Sequence, residues 1–341
     1  MINLCSTTGA EANGSAVRDW QWQAQHCITQ VADLCRHIKL SRSDLEKVSR
    51  AVQTYPFSIT PYYLGLAQEN SLHDPILRQC LPGAGELRTY PGEDADPFGE
   101  ANHMPIPGLI RRYPDRALLL INTRCPVLCR HCFRKRLWQC TSAAGPVPPL
   151  QEVLEYLSEH PEIREVILSG GDPLMLDDRQ LQAILGSLHE IKSVEMVRIA
   201  TRLPATLPQR FTPELTGLLA AFKPVWIAAH FNHPRELTPQ STGACRRLVE
   251  AGMPIVSQTI LLKGVNDDAA TLRSLFIGLL RCRVKPYYLF HGDPAAGAMH
   301  FRVSKERGRA IMRELRETTS GLAIPTYAAD TAGAPFKMPL V

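Results

Sequence analysis

Ala117-Leu-Leu-Leu-Ile-Asn-Thr-Arg-Cys125-Pro-Val-Leu-Cys129-Arg-His-Cys132 runs an apolar, strand-like segment straight into three cysteines spaced three and then two residues apart. Iron-sulfur clusters are held by Cys thiolates at short loop spacings. Three thiolates at the mouth of a strand therefore suit three corners of an iron-sulfur cube and leave one iron without a cysteine, open to a small chelating ligand. A structural zinc site or reduced core thiols are the competing readings. Zinc favours paired C-x2-C units with a second pair downstream, and no second pair exists in this sequence. Cys125, Cys129 and Cys132 are the expected metal ligands.

The same segment opens a run of short β-rich stretches alternating with amphipathic helices: Ala117 to Asn122, Glu165 to Ser169, Glu195 to Thr201, Pro224 to His230, Pro254 to Ile260 and Val284 to Phe290. Alternation at this spacing predicts parallel strands joined by right-handed crossovers. Six units suit an α/β fold with a partial (β/α)6 TIM-like barrel better than a complete eight-unit closure, with a doubly wound open sheet as the structural alternative. In either architecture ligands gather at the carboxyl ends of the strands. Cys125, Gly170-Gly171-Asp172, Thr201-Arg202, His230-Phe-Asn232-His233, Gln258 and His291-Gly-Asp293 all fall there. Upstream, Asp19 to Ile38 has helical spacing, Ser41-Arg-Ser-Asp44 opens a second helix ending near Thr54, and Pro61 to Asn70 reads as a third. Leu81 to Pro107, rich in proline and glycine, reads as loop. The expected division is a mainly helical region 1–112 and a barrel 113–341 that ends in a lysine-bearing loop.

The 341 residues are 45% hydrophobic and 21% charged, with a net charge of +5. That balance is ordinary for a soluble globular chain, and no apolar run approaches the ~18 residues of a membrane span. The basic excess is spread along the chain, which argues against a nucleic-acid surface and for anionic ligands. Met1 to Gly14 lack the basic start and apolar core of a secretory signal, so a cytoplasmic location is expected. Cys5, Cys27, Cys35, Cys80, Cys140, Cys245 and Cys282 then read as reduced thiols packed as small hydrophobes.

Two further constellations carry chemistry. In Ser169-Gly-Gly-Asp-Pro173 the paired glycines bring backbone amides and carbonyls close to a ligand, and Asp172 is either an amine contact or a turn former. In Thr331-Ala-Gly-Ala-Pro-Phe-Lys337-Met-Pro a lysine sits in a Gly/Pro-bearing loop after the apolar run Ile324 to Ala329. Such a lysine is either a surface residue or one that forms a Schiff base when its surroundings lower its pKa.

With Pro61-Tyr-Tyr63, Pro107-Gly-Leu-Ile-Arg-Arg-Tyr-Pro-Asp-Arg116, Cys129-Arg-His-Cys-Phe-Arg134, Leu207-Pro-Gln-Arg210, His230-Phe-Asn-His-Pro234, Leu261-Leu-Lys-Gly-Val-Asn-Asp267, Pro286-Tyr-Tyr288, His300-Phe301 and Thr319-Ser-Gly321, the sequence resembles the lysine 2,3-aminomutase family over almost its entire length. The cysteine spacing is that of the radical S-adenosylmethionine enzymes. The resemblance implies a 4Fe-4S cluster on Cys125, Cys129 and Cys132, S-adenosylmethionine on the open iron, and pyridoxal 5'-phosphate on Lys337. It implies Arg112 and Arg116 at the phosphate, Tyr113 near the ring, Gly170, Gly171 and Asp172 at the methionine amine, and His230, Asn232 and Gln258 lining the shared cofactor pocket. Arg134 would clamp the substrate α-carboxylate, and Asp293 and Asp330 would receive a distal cation. The activity implied is an isomerase that converts L-lysine to β-lysine by 1,2-amino migration; an arginine 2,3-aminomutase, or a lysine aminomutase serving elongation factor P modification, are the alternatives.

A non-catalytic iron-sulfur or redox-sensing protein and a nucleic-acid-modifying radical enzyme are readings from other classes. Neither needs pyridoxal phosphate, so Lys337 with Arg112 speaks against both. The implied partners are a small amino acid and an electron donor such as flavodoxin or ferredoxin, with no nucleic acid and no membrane. The family enzyme continues past the lysine loop into a tail with zinc-binding cysteines and uses a further cysteine where this sequence has Asp268. Any homo-oligomer is therefore expected to lack a zinc staple.

Overall fold

The computed structural model describes residues 19–139, 147–222 and 224–341. Met1 to Gly14, Cys5 and Cys140 lie outside them. Nine strands form one sheet: β1 (Leu109–Tyr113), β2 (Arg116–Asn122), β3 (Glu165–Gly170), β4 (Met196–Thr201), β5 (Val225–Ala229), β6 (Ile255–Leu261), β7 (Lys285–His291), β8 (Thr326–Ala329) and β9 (Met338–Pro339). Each strand pairs with the next in sequence, and every pairing from β2 to β8 is parallel. A doubly wound sheet reverses its strand order at a switch point. Sequential order with no reversal is the winding of a barrel wall, so the fold is the partial β/α barrel.

The six expected strands are all present, each with ends within one residue of those expected. Three more complete the sheet. β8 is a seventh parallel strand, formed by the apolar run ahead of the lysine loop and too short to stand out as a unit. β1 is antiparallel to β2 through a tight connection that pairs Tyr113 with Arg116. Its sequence, Leu-Ile-Arg-Arg-Tyr, hides a strand behind two arginines. Position 112 lies inside β1, so the sheet begins a few residues before the boundary expected there.

Alternation along the strands sets up the site. On β4 and β6, Val197, Ile199, Ser257, Thr259 and Leu261 are buried toward the helices, whereas Arg198, Ala200, Val256, Gln258 and Ile260 on the other face are only half-buried. A barrel filled by its own side chains would bury both faces; here the concave face keeps space. The helices Asp178–His189, Pro213–Ala221, Pro239–Glu250, Ala269–Arg281 and Lys305–Thr318 cover the convex face. Asp177, Thr212, Thr238, Asp268 and Ser304 cap their first turns with a side-chain oxygen. Asp268 thus has a capping role, accepting from the Thr271 amide at 2.8 Å.

The N-terminal region has its own apolar cluster of Leu34, Val48, Phe57, Ile59, Tyr63, Ile76 and Leu77, joined by Val127 of the cysteine loop. The helical spacing of Asp19 to Ile38 is realised as two helices, Trp20–Gln25 and Val31–His37. Between them Ile28 pairs its backbone with Ile59. The third helix stops at Leu64, short of Asn70. Cys80 and Cys245 are buried free thiols, and Cys27, Cys35 and Cys282 are half-buried. Among the described residues no helix is long and apolar enough to cross a membrane.

Gly308 lets the last helix sit on β8. A Cβ there would overlap the buried ring of Tyr327, whose Cε1 would lie at 2.8 Å. Gly217, also helical, has open space around it. Gly308→Ala is expected to lose up to about 2 kcal/mol of stability, because overpacking at about 1–3 kcal/mol outweighs the helix-propensity gain of about 1 kcal/mol. Gly217→Ala should gain up to about 1 kcal/mol. Thermal unfolding of the two variants checks this opposition of sign.

Candidate active site

The cysteine loop is positioned by backbone. After β2, Asn122 Oδ1 accepts from the Arg124 amide at 2.7 Å, and Asn122 Nδ2 donates to the Asp172 carbonyl at 2.7 Å. The Gly171 amide donates to Asn122 O at 2.7 Å and the Asp172 amide to Arg124 O at 2.9 Å. Gly170 has a φ of +115°, and a Cβ there would collide with Asn122 O. At Gly171 a Cβ would overlap the Arg124 carbonyl and lie 2.6 Å from Arg124 N and Thr123 C. The two glycines expected to admit a ligand thus admit the neighbouring turn that carries Cys125.

Asp172 is committed in the same way. Its carboxylate accepts from Thr201 Oγ1 at 2.8 and 2.9 Å, from the Arg202 amide at 2.8 Å and from the Leu174 amide at 3.2 Å. Burial pushes its carboxyl up to about 6, against these donors. Of the two roles expected for it, the carboxylate fills that of turn former, tying the ends of β3 and β4 together.

The three thiols act on one another. Burial, then Asp172, Cys129 and Cys132, drive the Cys125 thiol well above its usual range, and burial with Cys129 pushes Cys132 up to about 11. Cys129 Sγ accepts from Arg202 Nη1 at 2.9 Å. Clustered thiolates that repel one another are relieved by a cationic centre, and the donor set, three sulfurs on one short loop, fits an iron-sulfur cluster.

Around the thiols, the loop's cations are matched by carboxylates from 81–107, the stretch expected to be loop only. Glu86 is embraced by Arg130 at 2.6 and 3.1 Å and takes Lys135 Nζ at 2.7 Å. Burial lowers Lys135 to about 8, with Glu86 opposing. Glu100 is held by Arg134 Nε and Nη2 at 3.1 and 2.6 Å and by Arg136 at 2.7 Å. Burial would raise the Glu100 carboxyl, but Arg134 and Arg136 hold it below the ordinary range. Arg134 Nη1 also donates to Ser169 Oγ at 3.0 Å. A guanidinium has five N–H donors, so the edge between its terminal nitrogens still has hydrogens to offer.

Asp330, Lys337, Arg112 and Asp293, four more of the expected residues, act on one another. Asp330 accepts Lys337 Nζ at 2.5 Å and Arg112 Nη2 at 2.9 Å. Burial opposes its ionisation, yet Lys337 and Arg112 keep its carboxyl below the usual range. Burial and the neighbouring Asp330 push Asp293 up to about 7, with Lys337, Arg302 and Arg112 opposing. Arg116 stacks 4.0 Å from the Tyr113 ring centre, Lys337 lies 5.1 Å from that of Phe290, and Phe290 stacks on Tyr288 at 4.9 Å. Cations, an amine and an aromatic wall fit an aromatic aldehyde phosphate.

His230 and Asn232 differ in kind. Burial and Arg202 lower His230 to about 4, with a hydrogen bond to Gln258 opposing. Asn232 Nδ2 donates to Gln79 Oε1 at 3.0 Å and its Oδ1 accepts the Ile260 amide at 3.0 Å, so its side chain braces β6 from inside. His131 Nδ1, His230 Nε2, Arg202 Nε and the Tyr113 hydroxyl are buried with no partner among the described residues, and a bound ligand would satisfy such atoms. Glu86, Glu100, Gln79 and Glu236 carried no sequence signal, because each acts on a residue tens of positions away.

A sequentially wound parallel barrel with a three-cysteine loop after its first parallel strand defines a radical S-adenosylmethionine enzyme, and the Radical SAM superfamily model matches residues 119–275. Such an enzyme takes a 4Fe-4S cluster and S-adenosylmethionine. L-lysine 2,3-aminomutase of Clostridium subterminale is 41% identical over 341 residues, 100% of this chain and 82% of that protein. The L-lysine 2,3-aminomutase of Fusobacterium nucleatum subsp. nucleatum is 41% identical over 323 residues, 95% and 76% of the two chains. Glutamate 2,3-aminomutase of Clostridioides difficile is 40% identical over 326 residues, 95% and 77%. The chain belongs to the lysine 2,3-aminomutase family, whose members are radical S-adenosylmethionine isomerases.

The turn-on-turn packing gives a direct test. Gly171→Ala is expected to displace Arg124 and Cys125 and to lower iron uptake on anaerobic reconstitution several-fold. The helix content seen by circular dichroism should stay near that of the parent.

Proposed function

We propose that this protein converts L-lysine to β-lysine, with pyridoxal phosphate carried on Lys337. The observation that carries the substrate choice is the pair Asp293 and Asp330 beside Lys337 and Arg112. Relatives that act on lysine and on glutamate are almost equally similar to this chain, so identity alone does not choose between them. Two carboxylates at one end of the site support lysine: they would attract a distal ammonium and repel a side-chain carboxylate.

Lys337 would hold pyridoxal phosphate, Arg112 and Arg116 its phosphate, and Tyr113 its ring; Cys125, Cys129 and Cys132 would hold the cluster. When bound, the cluster with S-adenosylmethionine supplies a radical that abstracts hydrogen, and pyridoxal phosphate supplies the carbonyl that carries the migrating amine. The chain's own residues orient the substrate. Arg134 is kept rigid by Glu100 and Ser169 and turns its remaining edge to the α-carboxylate. Asp330 is shared between Lys337 and Arg112, and it would be free for a substrate cation with those two groups holding the cofactor. The half-buried concave face gives the extended amino acid room, so orientation is the protein's main contribution.

Turnover with lysine, arginine and glutamate under anaerobic conditions tests the reading. Lysine should react, arginine poorly because its guanidinium is longer and planar, and glutamate not at all. Preferred glutamate turnover would overturn it. Asp293→Asn should lower kcat/KM for lysine by about 30-fold to several thousand-fold, corresponding to about 2–5 kcal/mol for one partner of a desolvated charge pair.

A pH dependence follows from the raised Asp293. Between the unfolded carboxyl range and about 7 the folded protein binds a proton there that the unfolded chain does not. This contribution to stability is present at low pH and lost as pH rises through about 7. A cationic substrate needs the ionised form, so lysine binding releases the proton, and KM should rise by up to about tenfold per unit as pH falls below 7. Asp293→Asn should flatten that limb, as a KM profile between pH 5.5 and 8 would check.

A further inference from the structure

Arg202 follows β4 and has no part in the substrate reading, yet it is held from several directions. Its amide donates to Asp172 Oδ2 at 2.8 Å. Its Nη2 lies 2.7 Å from Glu236 Oε1, 2.6 Å from Gln79 Oε1 and 2.9 Å from the Tyr63 hydroxyl, and the Tyr63 ring centre is 5.2 Å from the guanidinium carbon. Glu236 is fully buried, and its Oε2 takes the Asn232 and His233 amides at 2.6 and 3.2 Å. Nη1 alone is turned to the cysteine loop, where it donates to Cys129 Sγ at 2.9 Å. A guanidinium fixed by an anion, an amide and a phenol cannot swing away, so a buried positive charge stays against one sulfur.

Hydrogen bonds to the sulfurs and nearby buried charge are the levers by which a protein sets an iron-sulfur potential. We propose that Arg202 is a positioning residue that raises the reduction potential of the cluster through the Cys129 sulfur, with Glu236 as the opposing charge that limits the effect. The inference rests on the reading of Cys125, Cys129 and Cys132 as cluster ligands. The step it governs is the gain of one electron by the cluster from an external low-potential donor, dithionite in the test. The added negative charge spreads onto the sulfurs, no bond at Arg202 forms or breaks, and no proton moves. A positive charge at hydrogen-bond distance favours the electron-rich state, and a carboxylate behind it counteracts part of that preference.

The test is potentiometry of the reconstituted protein without S-adenosylmethionine, followed by electron paramagnetic resonance, with iron content measured on each sample. Arg202→Gln should shift the midpoint to more negative potential, so that at the wild-type midpoint the reduced-to-oxidised ratio falls tenfold or more, 59 mV for a one-electron couple. Glu236→Gln should shift it the opposite way, and Arg202→Lys should fall between wild type and Arg202→Gln. Since Arg202→Gln leaves Glu236 buried and unpaired, Glu236→Gln decides alone if that variant does not fold. Iron-replete variants that share the wild-type midpoint, or that shift in the same direction, would overturn the role of Arg202 while leaving the cluster in place. A wild-type protein that takes up no iron would overturn the cluster reading, and this inference with it.

Discussion

Two turns at the mouth of the barrel, one after β2 and one after β3, are laced together by two backbone bonds, Gly171 N on Asn122 O and Asp172 N on Arg124 O, and by the Asn122 side chain, Nδ2 on Asp172 O. The cysteine loop leaves directly from this lacing. From Asp172 the constraint passes to Thr201 and Arg202 at the end of β4, and from Arg202 to Glu236 beyond β5 and to Cys129. Strand ends that parallel pairing would only bring near one another are thereby locked in relative height. The two glycines are the condition for it, since a Cβ at either would occupy space that the other turn fills.

Charge is balanced locally around the thiols. Arg130 and Lys135 share Glu86, Arg134 and Arg136 share Glu100, and Arg202 has Glu236. Buried ion pairs are weak evidence for net stability, because desolvation offsets much of their attraction, but removing one partner costs about 3–5 kcal/mol. Their effect here is geometric: they fix Arg202 on the Cys129 sulfur and Arg134 and Lys135 near Cys132, so the loop is preorganised before any ligand arrives.

Much of this was legible in the sequence. Short β-rich runs alternating with amphipathic helices marked six strands, because a parallel strand buried under crossover helices needs an apolar, β-branched segment between two helical ones. The three cysteines stood out by their spacing, whereas Lys337 and the aspartates Asp293 and Asp330 were given their roles only through the family resemblance. β8 and β1 were not legible as strands, the first for its length and the second for its arginines. The carboxylates Glu86, Glu100 and Glu236 could not be read at all, since an acidic residue in a loop looks solvated until the fold brings a guanidinium to it. The Gly-Gly-Asp turn was legible as a site feature, but the structure gives it a different neighbour: the chain itself.

Val127 lies in the apolar cluster of the N-terminal helices, while Cys125 and Cys132 on either side of it belong to the mouth of the barrel. The floor of the cysteine loop is therefore built by one part of the chain and its walls by the other. Anyone recombining this protein with a relative would do best to treat the two parts as one exchange unit. A crossover between them would pair a foreign floor with native walls and misplace the sulfurs, even if every segment kept its own secondary structure.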